Sequence, residues 1–471
     1  MNRFLLGCLL VITSVSFGQK KPNVLFIAID DMKPLIHDYG YDQAITPNFD
    51  RLMDEGVSFE KAYCQYPVCG PTRASLMTGL RPEVNGVMNL KTKMRDVNPN
   101  ALTLAQHFKN NGYETVARGK IFDPRCVESK TEDDKESWSI PYSTPHGKHL
   151  HPDGHLATMA IGDNDEEHTD GQTAKEGIEF INKLSNKEKP FFVAIGFKKP
   201  HLPFIAPTKY FDMYDKSKFK LESFQTVPKG ADAKYILNKN NELLSYNPTP
   251  LDGGKILPYA PYKLGKSLTE VQQRELIHGY FACVSYIDNL LGNILDALEN
   301  TGQADNTIIV LWGDHGFHLG DHGMWGKHTT MEQAARVPLI FKAPGIKSAK
   351  TSSLAEFLDI FPTLCDLAGL ETPKHLQGKS LVPVLKCEKK SVRETAITQY
   401  KRAGAYGYSM RTEKYRYTEW VTADGTVRYK DLYDLDNDPN ETVNILGNDP
   451  ELDIKLAVLL RANKEGLKRL K

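Results

Sequence analysis

Four short apolar runs along the chain each stop abruptly at polar groups. Val24-Leu25-Phe26-Ile27-Ala28-Ile29 is followed at once by Asp30 and Asp31, and Glu114-Thr115-Val116-Ala117 leads into Arg118-Gly119-Lys120. Phe191 to Phe197 leads into Lys198-Lys199-Pro200-His201, and Thr307 to Trp312 leads into Gly313-Asp314-His315. Non-alternating runs of this length are the pattern of strands buried on both faces. Helical patterns lie between them. Ala101 to Asn111 ends at Gly112, Thr173 to Leu184 has near-helical spacing, and Glu270 to Leu298 carries Leu276, Phe281, Val284, Ile287 and Leu291 at mostly three- and four-residue steps. Strands alternating with helices predict a large, mostly parallel α/β sheet, whose ligands bind at the carboxyl ends of its strands. One site is therefore predicted to collect Asp30, Asp31, Lys120, His201, Asp314 and His315.

After Pro344-Gly345 the pattern changes. Ser353 to Ala368 predicts one more helix, stopped by Gly369. Beyond Thr395, Tyr406–Arg411, Tyr415–Val421 and Val427–Tyr433, the last two across Asp424-Gly425, predict an antiparallel meander, and Leu452 to Leu470 a closing amphipathic helix. Residues 123–170 and 215–268 are polar excursions. His149, His151 and His155 in the first read as part of a solvated loop near the site, not as a separate metal centre.

The first eighteen residues have the features of a secretory signal. Arg3 supplies the charge, Phe4 to Val15 the apolar run and Ser16-Phe17-Gly18 a small-residue cleavage site. Leu5-Leu6-Gly7-Cys8 imitates a lipoprotein box, but the apolar run continues past it. No later run is long enough to span a bilayer, so an exported, periplasmic or secreted protein is expected. The expected division is signal peptide 1–18, catalytic domain 19–390 and a smaller C-terminal unit 391–471, in keeping with a chain too long for one core. Lys plus Arg and Asp plus Glu both number 59, so a general affinity for nucleic acid or membrane surfaces is not predicted. Six cysteines follow Cys8 without any C-x-x-C pair, which argues against a zinc site or a disulfide scaffold. Setting Cys69 aside leaves five, so not all can pair within the chain; Cys283, in a helical pattern, reads as a buried apolar residue.

Asp30-Asp31 could cap a following element, a frequent role of aspartate. With Asp314 and His315 from another strand end, a hard-oxygen site for calcium or magnesium is the better reading than zinc. Arg73, Lys120, Lys199 and Lys327 are candidates for an anion such as a transferring sulfuryl or phosphoryl group. His201 sits in a turn between two prolines, where a structural role competes with a catalytic one. Cys69 precedes Gly70-Pro71-Thr72-Arg73 and a segment that starts a helix, a setting expected to lower a thiol's pKa. A thiol is nonetheless a poor ligand for a hard metal, so a chemical change of Cys69 is expected.

Cys69-Gly70-Pro71-Thr72-Arg73, followed by Ala74-Ser75-Leu76-Met77-Thr78-Gly79, resembles the signature of type I sulfatases, and the resemblance runs over nearly the whole mature chain. Lys198 to Phe204, Gly323 to Lys327, Gly407 to Thr412 and Tyr415-Arg416-Tyr417 are similar to iduronate-2-sulfatase-like members. The resemblance implies an alkaline-phosphatase-like α/β sandwich with a smaller C-terminal antiparallel sheet. It also implies that a maturation enzyme oxidises Cys69 to formylglycine, whose hydrate is the nucleophile. Asp30, Asp31, Asp314 and His315 would hold calcium, rather than magnesium, together with an oxygen of modified Cys69. Arg73 and Lys120 would steady the hydrate and the sulfate, and His201 and Lys327 would contact the ester and its leaving oxygen. The implied substrate is a sulfated, uronate-containing carbohydrate. Two positions depart from the pattern: Asp123 stands where a histidine follows the Gly-Lys pair, and Thr72 replaces the more frequent serine. A phosphomonoester or phosphodiester hydrolase is the alternative, disfavoured because such enzymes usually present Ser or Thr as nucleophile. A non-catalytic sugar-binding protein is disfavoured by the intact ligand set.

Overall fold

The computed structural model describes residues 20–128, 133–143, 156–237, 242–247 and 268–468. The expected signal segment and His149, His151 and His155 lie outside these residues. Eight strands form the main sheet: β1 (Asn23–Ile29), β2 (Val57–Tyr63), β3 (Glu114–Gly119), β4 (Phe191–Phe197), β5 (Thr307–Gly313), β6 (Arg336–Val337), β7 (Leu339–Lys342) and β8 (Ala349–Glu356). β5, β1, β4 and β3 lie side by side and parallel. β7 runs antiparallel between β5 and β2, so β2 points the same way as β5, and β8 pairs parallel with β2.

The predicted apolar runs are buried strands, apart from the partly exposed Glu114 at the start of β3, because helices cover both faces. On β1, Leu25, Ile27 and Ile29 face a layer made by α1 (Pro47–Glu55), α4 (Thr169–Ser185) and α5 (Glu270–Asn300). Val24, Phe26 and Ala28 face the opposite layer, with α2 (Cys69–Thr78), α3 (Leu104–Asn110) and α6 (Ile360–Leu367). Successive side chains of a strand point to opposite faces, so two cores require apolar residues at every position. α5 starts at a capping box, in which Thr269 accepts from the Gln272 amide and Gln272 reaches back.

The C-terminal sheet has four antiparallel strands in order, β9 (Ala396–Arg402), β10 (Ala405–Arg411), β11 (Tyr415–Val421) and β12 (Val427–Asp434). Ile397, Met410, Tyr417 and Leu432 pack against Leu456, Ala457 and Leu460 of α7 (Pro450–Lys468). One expected element is wrong at its start. Ser353 to Glu356 belong to strand β8, and the helix begins only at Ile360. Pairing with β2, through a register shift between Thr351 and Leu354, overrides the local helical pattern. Gly369 does follow the helix, in the left-handed conformation expected of a stop.

Candidate active site

Five strand ends converge. β1, β3, β4 and β5 deliver Asp30 and Asp31, Lys120, His201, and Asp314 with His315. β2, which points the same way, leads through a short connection to Cys69, the first residue of α2. Asp30, Asp31, Cys69, Arg73, Asp314 and His315 are all buried, at 0 or 1% exposure.

The backbone turns the carboxylates inward. Asp31 has a left-handed φ of 59°, which a non-glycine residue adopts only when its surroundings impose it. Here its N–H donates to Asp314 Oδ1 at 2.9 Å, and Tyr280 Oη donates to its carbonyl at 2.7 Å. Neither aspartate caps a helix. His315 Nδ1 lies 3.1 Å from the Gly316 carbonyl. A carbonyl only accepts, so Nδ1 carries a proton, and Nε2 faces Cys69 Sγ, 3.3 Å away, and Asp31 Oδ1, 3.4 Å away.

Three cations, the buried Arg73 and Lys327 and the partly buried Lys120, answer three carboxylates. Lys120 Nζ is 2.6 Å from Asp30 Oδ2, and Lys327 Nζ is 2.8 Å from each oxygen of Asp31. Arg73 Nε donates to Asp314 Oδ2 at 2.8 Å, and its Nη1 donates to the Lys120 and Ile121 carbonyls. Arg73 also stacks over Trp312. Its donors are committed to protein acceptors, so it shapes the carboxylate cluster and does not project into the cavity. Burial pushes Asp30 up, but Lys120, His201 and Arg73 outweigh it and hold the carboxyl well below its usual range. Burial, reinforced by Asp30, pushes Asp314 up.

The Cys69 thiol differs from expectation. Burial, with Asp30 adding to it, pushes its pKa well above the ordinary value and overrides Lys120 and Lys327. The helix terminus and the neighbouring arginine do not make a thiolate here, because the thiol is buried, and Asp30 and Asp314 add to the effect. An unmodified Cys69 is thus a weak nucleophile as well as a poor hard-metal ligand.

The donor set fits a hard divalent cation. Asp30, Cys69, Asp314 and His315 each offer a ligand atom within 4.8 Å of the others, as do Asp30, Asp31, Cys69 and His201. Carboxylate oxygens with one imidazole suit calcium better than zinc. With the three lysine and arginine charges paired to Asp30, Asp31 and Asp314, a divalent ion would add positive charge for an anionic group.

A cavity of about 440 Å³ opens above Cys69, lined in part by Arg125, His201, Glu242, Lys327 and His328. Glu242 was not among the residues singled out in the sequence. Its carboxylate lies 3.3 Å from His201 Nε2 and 3.2 Å from Lys327 Nζ. It comes from the polar excursion after residue 215, where nothing distinguishes it from its acidic neighbours. Lys199 is not part of the cavity: its Nζ donates to the His201 and Pro203 carbonyls and pins the turn that carries His201. Asp123 is buried beside Lys120, at 3.5 Å, and binds Arg125. Cys64, Cys126, Cys283 and Cys365 are buried free thiols and Cys387 is an exposed one; none pairs with Cys69.

A sulfatase family model matches residues 22–370, and a model of the N-sulphoglucosamine sulphohydrolase C-terminal region matches residues 320–465. A sulfatase of Formosa agariphila is 35% identical over 452 residues, covering 91% of this chain and 83% of its own. Iduronate 2-sulfatase of Homo sapiens is 29% identical over 513 residues, with 90% of each chain covered. The solved structure of a 2-O GAG sulfatase is 26% identical and aligns with a TM-score of 0.68, covering 96% of this chain and 92% of that one. With the family model spanning every strand that delivers a residue to this site, the chain belongs to the sulfatase family.

Proposed function

We propose that this sulfatase is exported and hydrolyses sulfate esters of uronate-containing polysaccharides or oligosaccharides, of the iduronate-2-sulfate or algal ulvan kind. Cys69 is converted to formylglycine by a maturation enzyme, and calcium is held by Asp30, Asp31, Asp314 and His315. The chemistry resides in residues 19–390, with 391–471 packed beside it. The observation that carries this reading is a buried thiol set within a hard-metal donor cluster that two lysines pair with, beneath a cavity that Cys69, His201 and Lys327 line. The hydrated aldehyde supplies what a thiol lacks: one hydroxyl to attack sulfur, and a second that loses its proton to expel sulfate. Calcium, when bound, supplies positive charge beside that group.

The chain's own residues do the rest. Lys120 and Lys327 are fixed on Asp30 and Asp31, so their charge is preorganised where the sulfate oxygens must lie. Arg73 holds Asp314 and Asp30 in place. His201 Nδ1 is 2.6 Å from the Leu202 carbonyl, which puts its proton on Nδ1 and turns Nε2 to the cavity. There it meets Glu242 in the free site and would contact the leaving oxygen once substrate displaces that carboxylate. No described helix is long and apolar enough to cross a membrane.

The test is mass spectrometry of the Cys69 peptide from a host that contains the maturation enzyme, with parallel assays on matched sulfate and phosphate esters. The expected result is the aldehyde, with sulfate turnover dominant, lost to a chelator and restored by calcium better than by magnesium. Unmodified thiol in a fully active enzyme would sink the mechanism, and faster phosphate turnover would favour the phosphoester reading. Glu242 gives a further prediction. In the free site it occupies the same cations that sulfate must reach, so Glu242→Gln is expected to tighten competitive inhibition by inorganic sulfate about 3- to 10-fold. Unchanged or weaker inhibition constants would show that Glu242 does not compete with the anion.

A further inference from the structure

We propose that Arg125, held side-on by Asp123, is the specificity-determining residue that receives the carboxylate of the sulfated sugar. The inference rests on the reading of the site as a sulfatase of acidic sugars and adds the residue that recognises the acid. Asp123 is 1% exposed and fixes the arginine at three points. Its Oδ1 accepts from the Arg125 backbone N–H at 3.0 Å and from Nε at 2.8 Å, and its Oδ2 accepts from Nη2 at 2.8 Å. Two parallel bonds fix the plane of a guanidinium as well as its position. Among the described residues Nη1 has no hydrogen-bond partner, and the Arg125 side chain is 48% exposed although its anchor is buried.

Arg125 lines the same cavity as Cys69, His201 and Lys327. The groups nearest the reacting position are others: Lys327 Nζ is 3.8 Å from Cys69 Sγ, and Lys120 is drawn in on Asp30. The scissile sulfate therefore has its cations without Arg125. A planar donor edge, preorganised and partly in water, matches a planar carboxylate on the same sugar better than it matches a second tetrahedral group. The departure at Asp123 from the histidine of related sequences gains a purpose: the residue that cannot itself donate aims one that can.

A purely structural role is the competing account, since the Asp123–Arg125 pair also braces the turn in which the Cys126 N–H donates to the Asp123 carbonyl. The test compares a 2-O-sulfated uronate disaccharide with the same disaccharide reduced at its carboxyl group to the alcohol. In the full-length matured enzyme, Arg125→Ala is expected to raise KM for the acidic substrate about 10- to 100-fold with kcat within about threefold. KM for the carboxyl-reduced substrate should stay the same. Arg125→Lys, which keeps the charge but neither the side-on anchor nor the plane, should recover part of the loss. Equal losses on both substrates, or none on either, would overturn the proposal. Failure of the wild type to hydrolyse any sulfate ester would instead strike at the underlying functional reading.

Discussion

Cys69→Ala is expected to lower kcat on any sulfate ester by at least about 10⁴-fold, the scale on which removal of a nucleophile is felt. The fold should survive. Cys69 is a small side chain at the first turn of α2, alanine is the best helix former, and only one sulfur atom leaves the core. Circular dichroism and the melting temperature should therefore stay close to wild type while turnover disappears. Cys69→Ser separates two explanations of that loss. Serine keeps one hydroxyl but cannot form a hydrate, so nothing is available to expel the bound sulfate. The expected signature is at most a single sulfated enzyme per molecule, seen by intact mass, with no steady-state turnover. Sustained turnover by the serine variant would show that the second hydroxyl is dispensable.

The largest stability effect is expected far from the chemistry. Glu356→Ala should destabilise the protein by about 3–5 kcal/mol, the cost of breaking a buried ion network by removing one partner. Glu356 is fully buried at the end of β8 and accepts from Arg81 Nη2 at 2.8 and 2.9 Å and from Arg393 Nη1 at 2.8 Å. It also accepts the Ile397 backbone N–H at 2.6 Å, which ties the first strand of the C-terminal sheet to the main one. Alanine leaves two buried guanidinium groups short of an acceptor, though Asp359 still holds Arg393. Burial pushes the Glu356 carboxyl up, but Arg393 and Arg81 outweigh it and hold it below its ordinary value. A depressed carboxyl pKa stabilises the fold above the unfolded-state pKa and loses that stabilisation as pH falls through the folded one. Denaturant titration should accordingly show the mutant less stable at neutral pH and less sensitive to acid. Hydrogen exchange should locate the loosening at residues 396–434. A change below about 1 kcal/mol would mean that the network is not what joins the two sheets.

Much of this was present in local order. The runs at Val24, Phe191 and Thr307 predict strands because a strand covered on both faces needs apolar residues at every position, and that requirement is written in consecutive residues. The polar groups that end those runs mark the site for a similar reason, since chain leaving a buried sheet meets solvent or ligand at its carboxyl edge. β2 escaped notice. Its partly exposed Glu60 and Lys61 interrupt the apolar pattern, so the strand that delivers Cys69 has no clear local signal. The helix expected from Ser353 failed because pairing with β2 is a contact between segments nearly three hundred residues apart.

By itself, then, the sequence determined the α/β alternation, the strand ends that carry Asp30, Asp31, Lys120, His201, Asp314 and His315, and the family signature at Cys69. Those features depend on neighbours along the chain. Only the tertiary structure decided that Cys69 is buried, which with nearby carboxylates raises its pKa, and that Arg73 holds Asp314 and Asp30 instead of facing the cavity. It also decided that Lys199 pins a turn, that Glu242 pairs with His201 and Lys327 and that Asp123 aims Arg125. Each of these turns on which charge lies within a few ångströms in a desolvated pocket. Coulomb interactions there follow distance and burial, and neither is set by position along the chain.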